Sequence, residues 1–127
     1  TVINSRWQSI IARGGSVLIE GCTLTNVYES EAYLHYYDET WYSGNGVNLA
    51  VITIGNRGEG YQYPSAVTVR DSILKSEGPY PAIYIVGNEG EGLGATLSYD
   101  GATDITGDII AANEYCTING VSGPFTN

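Results

Sequence analysis

A chain of 127 residues is long enough to bury a continuous core without staples, so a single domain over residues 1–127 is expected. Seventeen Gly and eleven Tyr against one Phe and no Met, with Thr, Ile and Val abundant, describe an all-β chain with many tight corners and exclude a helical bundle. A net charge of −9 with only 15% charged residues disfavours nucleic acid and anionic membranes as partners and leaves neutral glycans or protein surfaces.

No apolar run reaches the roughly eighteen residues of a membrane-spanning helix, so membrane insertion is not expected. No charged-then-apolar signal segment opens the chain. A start at Thr1 rather than Met is read as a processed product or an excised piece of a larger protein.

Taken in order, residues 2–26 read as an apolar strand around Ile10 and Ile11, a tight Arg13-Gly14-Gly15 corner, and an alternating strand with Val17 and Ile19 on one face. The segment SVLIEGCTLTN from Ser16 returns fifty positions on as AVTVRDSILKS from Ala66. Val17 then matches Val67, Ile19 matches Val69, Cys22 matches Ser72 and Leu24 matches Leu74, while Glu20 changes to Arg70. Aliphatics kept on one face and a charge reversed on the other are what an inside and an outside look like.

Residues 27–48 have no partner elsewhere in the chain and read as an insertion rich in aromatic residues. Tyr28, Tyr33, Tyr36, Tyr37, Trp41 and Tyr42 gather there with four carboxylates and the single histidine, His35. Long unpatterned loops in compact domains are usually functional or folded over a neighbour.

Regularity begins at AVITIGNRGEG, residues 50–60, which returns as AIYIVGNEGEG, residues 82–92. A repeat of an apolar strand, a Gly-Asn corner and a Gly-Glu-Gly turn is the mark of a solenoid whose copies stack. The letters place Ile52 beside Tyr84 and Ile54 beside Val86. Near-continuous apolarity implies that both faces of these strands are covered. After Gly94, burial favours a register with Leu97 and Tyr99 inward over the alternative that places Thr96 and Ser98 inward. Residues 105–121 give a last partial copy with Ile109, Ile110, Cys116 and Ile118 as core candidates, stopped by Gly123-Pro124. Neither end shows a polar cap, so the open ends are expected either to be covered or to self-associate head to tail.

Cys22 and Cys116 lie in the early and last copies, too far apart in a stack for one bridge, and are expected as two buried free thiols.

At GGSVLIEGCTLTN and SAVTVRDSILKSEG the chain resembles the right-handed parallel β-helix superfamily, the pectate-lyase-like proteins of bacterial secreted and surface proteins and phage tailspikes. The resemblance covers most of the chain. It implies an all-β, short right-handed parallel β-helix and an extracellular or cell-surface location. It also implies one of three occupations: polysaccharide lyase or glycosidase, adhesin, or structural fibre.

Three sets of residues bear on that choice. Asp71, Asp100, Asp104 and Asp108 lie at or near turns, where a glycosidase could hold an acid and a base. The chain lacks the Asn-x-Asp and Asp-Asp motifs of polygalacturonase-like relatives in a strand context, and only Arg70 and Lys75 stand near as bases for lyase chemistry. The competing reading is solvated turn residues bonding local amides, and no catalytic residue is assigned. The turns holding Glu59 and Glu91 could take calcium, but Arg57 beside Glu89 reads more simply as an ion pair, and neither a metal nor a cofactor is expected. Tyr33, Tyr36, Tyr37, Trp41 and Tyr42 could stack on sugar rings or serve as a packing lid; they are the candidate ligand-binding residues. The expectation is a non-catalytic surface module for adhesion or glycan binding, with a self-assembling fibre subunit and a polysaccharide-cleaving fragment as alternatives.

Overall fold

Strands of three sheets follow one another along the chain in a fixed rotation. The structure, a computed structural model, describes residues 2–5, 9–26, 50–55, 63–76 and 81–122. After β1 (Val2–Ser5) come β2 (Ile10–Ala12), β3 (Gly15–Glu20) and β4 (Thr23–Asn26). The next round is β5 (Ile52–Gly55), β6 (Ser65–Arg70) and β7 (Ile73–Lys75), and the third is β8 (Ile83–Val86), β9 (Ala95–Tyr99) and β10 (Asp104–Thr106). The last described strands are β11 (Ile109–Ala111), β12 (Cys116–Ile118) and β13 (Val121–Ser122). Helix among the described residues is limited to one 3-10 turn, Glu89–Glu91.

These strands form a first sheet of order β1-β4-β7-β10, a second of order β11-β8-β5-β2, and a third of order β13-β12-β9-β6-β3. Among the described strands every pairing is parallel except β12 with β13. The chain is thus all-β, with stacked parallel strands compatible with a parallel β-helix. The insertion expected over residues 27–48 lies outside the described residues.

Inward side chains line up in columns across the rounds. Ile10, Ile52, Ile83 and Ile109 are register partners in turn, as are Val17, Val67 and Leu97, then Leu24, Leu74 and Ile105. All belong to one hydrophobic cluster, in which Ile52, Ile83, Leu74 and Leu97 are fully buried. Each such side chain contributes roughly 1.5–3 kcal/mol relative to exposure, and the column form makes every round depend on its neighbours.

The fifty-residue offset between β3 and β6 holds over the whole strand, Gly15↔Ser65 to Glu20↔Arg70. The register with Leu97 and Tyr99 inward also holds, opposite Val67 and Val69. The register expected for β5 and β8 needs correction by one residue. The strands are adjacent and parallel, but Ile52 pairs with Ile83, Thr53 with Tyr84, Ile54 with Ile85 and Gly55 with Val86. Burial decides it: this register puts four isoleucines into the core together, whereas matching letter to letter would have set Ile52 against Tyr84, whose side chain belongs to the opposite face. Gly55 closes the strand at φ 129°, where an added Cβ would run into the Val86 carbonyl.

The last partial copy also departs from expectation. Ile109, Cys116 and Ile118 pack on the main core, but Ile110 sits on the other face with Ala50, Tyr84 and Val86. The parallel ladder stops earlier than Gly123-Pro124, because Asn119 and Gly120 adopt positive φ, 49° and 80°, and turn the chain back into an antiparallel β13. Cys116 is buried and Cys22 only half-buried; both thiols are free.

Candidate functional site

The third sheet differs from the second in leaving one face open. Along β6 and β9 the pattern alternates between buried Val67, Val69 and Leu97 and half-exposed Thr68, Thr96 and Ser98. Register places the outward residues in rows across the strands: Ser16, Ala66, Thr96 and Thr117 in one, Leu18, Thr68 and Ser98 in the next. Leu18 is 57% exposed. Arg70 and Asp100 follow at the ends of β6 and β9, both exposed, with Glu20 opposite Arg70. A shallow groove of about 210 Å³ lies here, lined by Thr68, Val69, Arg70, Ser98, Tyr99 and Asp100. It is smaller than a drug-sized pocket of about 300–1,000 Å³, with room for one small group or ring rather than a whole ligand.

Beside the groove, the corner between the third and first sheets is held by a ladder of side chains. Cys22, Ser72 and Thr103 occupy the same corner in successive rounds. Cys22 N–H donates to Ser72 Oγ at 3.1 Å and Ser72 N–H to Thr103 Oγ1 at 3.4 Å. Ser72 Oγ in turn donates to the Arg70 carbonyl at 2.8 Å. Parallel strands leave corner amides without a ladder partner, and these hydroxyls supply one.

Asp100 belongs to this corner. Its Oδ1 accepts from the Thr103 hydroxyl at 2.8 Å and from the Asp71 N–H at 3.2 Å. The Thr103 bond, then the Asp71 amide, hold its carboxyl below the usual carboxylate range. Through these two bonds Asp100 braces the turn, and its lowered pKa is the opposite of the shift a glycosidase acid needs. Of the four expected aspartates, Asp71 and Asp100 are joined by a hydrogen bond. Asp104 opens β10 in the first sheet, and Asp108 lies at the next corner, where its carbonyl accepts from Ala82 N–H at 2.8 Å.

The second Gly-Glu-Gly turn is held by its own hydrogen bonds. Asn88 pairs its backbone with Leu93 in both directions, and its Oδ1 accepts from Glu91 N–H at 3.3 Å. Gly87 exchanges bonds with the Asn113 side chain, N–H to Oδ1 at 3.1 Å and Nδ2 to carbonyl at 2.7 Å. Arg57 and Glu59 of the first copy lie outside the described residues, and among the described ones no group of three or more His, Cys, Asp or Glu could hold a metal ion. No helix of the described residues is long and apolar enough to cross a membrane.

Tyr33, Tyr36, Tyr37, Trp41, Tyr42 and His35 also lie outside the described residues. The groove was missed from sequence because its parts come from two rounds thirty positions apart, Thr68 with Ser98. The signal that could have found it was the outward set of the register already chosen for Leu97 and Tyr99. Neither a protein-family model, nor a curated protein, nor a solved structure matches this chain.

Proposed function

We propose that the chain is a non-catalytic extracellular or cell-surface module, a right-handed parallel β-helix of the pectate-lyase-like kind, that adheres through a neutral glycan or a protein surface. The observation that supports this reading is the open face of the third sheet, where rows of Ser and Thr hydroxyls flank the groove of Thr68, Ser98, Arg70 and Asp100. Hydroxyls, a guanidinium and a carboxylate can share the donors and acceptors of a sugar, and exposed Leu18 offers an apolar surface to its C–H face. A net charge of −9 favours neutral over acidic saccharides.

The test is retention on a glycan array carrying neutral and acidic oligosaccharides, followed by titration calorimetry on any ligand found. Binding to a neutral glycan, weakened at least tenfold in Thr68→Ala/Ser98→Ala/Arg70→Ala with an unchanged melting temperature, supports the reading. Retention of no glycan and no protein target, or release of unsaturated products from polygalacturonate or alginate, overturns it.

A further inference from the structure

The two outermost strands of the second sheet carry the same sequence. β2 and β11 both read Ile-Ile-Ala. They lie on the same register columns, Ile10 through Ile52 and Ile83 to Ile109, and Ala12 through Ile54 and Ile85 to Ala111. Among the described residues neither strand has another on its outer side. Among the described residues, β1 precedes β2, and β11 and β12 follow β10. At the matching corner, exposed Arg13 follows β2 and exposed Glu114 follows β11, so charges of opposite sign would meet.

What stands in the way is β13. The Asn119-Gly120 turn folds it onto β12, pairing Thr117 with Ser122 and Ile118 with Val121. It thereby takes the edge on which β3 of a second copy, only two residues beyond β2, would have to pair. Asn119 holds that turn in place, since its N–H donates to the Leu97 carbonyl and its Oδ1 accepts from Tyr99 N–H, both at 2.8 Å.

We propose that the β10/β11 end is an interface for the β1/β2 end of a second copy, and that β13 is the strand that keeps this interface shut. A two-residue antiparallel strand is a small obstacle that blunts an edge otherwise able to template pairing. When it leaves, β2 of the second copy continues the second sheet with Ile10 against Ile109, Ile11 against Ile110 and Ala12 against Ala111.

The experiment is sedimentation velocity over a concentration series on the full chain, with far-UV circular dichroism confirming the strand content of each variant. Gly120→Val disfavours the turn, because residue 120 sits at φ 80° with open space around it. Val121→Pro strips β13 of a donor by a separate route. The wild-type chain should sediment as one species, and both variants should rise from one chain's mass to multiples of it. Adding Ile11→Lys, which places a charge on the 46% exposed edge position, should abolish the growth. Arg13→Glu should weaken it and Arg13→Glu/Glu114→Arg should restore it. Folded variants that stay monomeric, growth that survives Ile11→Lys, or a wild-type chain that grows as readily as the variants would each overturn the proposal.

Discussion

The second and third sheets are built by the same rounds of chain, yet their central strands are buried differently. In β5 every residue is buried, and in β8 the outward Tyr84 is only 6% exposed, as Thr53 is 2% in the strand beside it. In β6 and β9 buried residues alternate with half-exposed ones. The second sheet is packed on both faces, whereas the third buries Val67, Val69 and Leu97 on one face and offers the other to solvent.

That contrast is tested most severely at Gly55. Gly55→Ala meets the Val86 carbonyl and requires a φ of 129° that L residues rarely adopt. A loss of about 4 kcal/mol or more, or failure to fold, is expected in urea denaturation. Next in size, Tyr84→Ala on the outward face of the doubly packed sheet should cost about 2–5 kcal/mol, while outward Thr68→Ala on the open face should stay within about 0.5 kcal/mol. Equal costs would erase the distinction between the sheets.

Much of this was legible in the sequence, and the failures have physical reasons. The fifty-residue repeat yielded the β3/β6 register because both copies alternate and the side-chain faces can be matched without ambiguity. The AVITI and AIYIV copies yielded adjacency but the wrong register, because a strand apolar at almost every position carries no alternation to fix which residues face inward. The hairpin at Asn119-Gly120 was present as a strong turn signal, Asn-Gly flanked by apolar residues, but the expectation of one more parallel copy ran over it. The groove was harder to read for a different reason: single Thr, Ser, Arg and Asp residues on separate rounds carry no local pattern and come together only in the outward set of the β6/β9 register.

The corner beside the open face, between the third and first sheets, carries a smaller expected effect. Ser72→Ala leaves the Cys22 amide without its acceptor and removes the bond to the Arg70 carbonyl. It should cost about 1–3 kcal/mol, measured by the same denaturation midpoint. The smallest effect belongs to Asp100, which is fully exposed. Its folded pKa is lowered from 3.8, so the stabilisation its charge contributes is present above that value and is lost as pH falls below it. The melting temperature of wild type relative to Asp100→Asn should therefore fall as pH drops below 3.8. A difference that stays constant into strong acid would show that the charge does not brace this corner.

Core, groove and the proposed end-to-end interface all depend on the stacked parallel register, which nuclear Overhauser contacts between backbone protons of β5 and β8 read without an intermediary. Contacts should link Ile52 with Ile83, Thr53 with Tyr84 and Ile54 with Ile85 in parallel order. They should continue on one side through Ile10 with Ile52 and on the other through Ile109 with Ile83. Contacts that instead join Ile52 to Tyr84 and Ile54 to Val86, or that run in antiparallel order, would contradict that register.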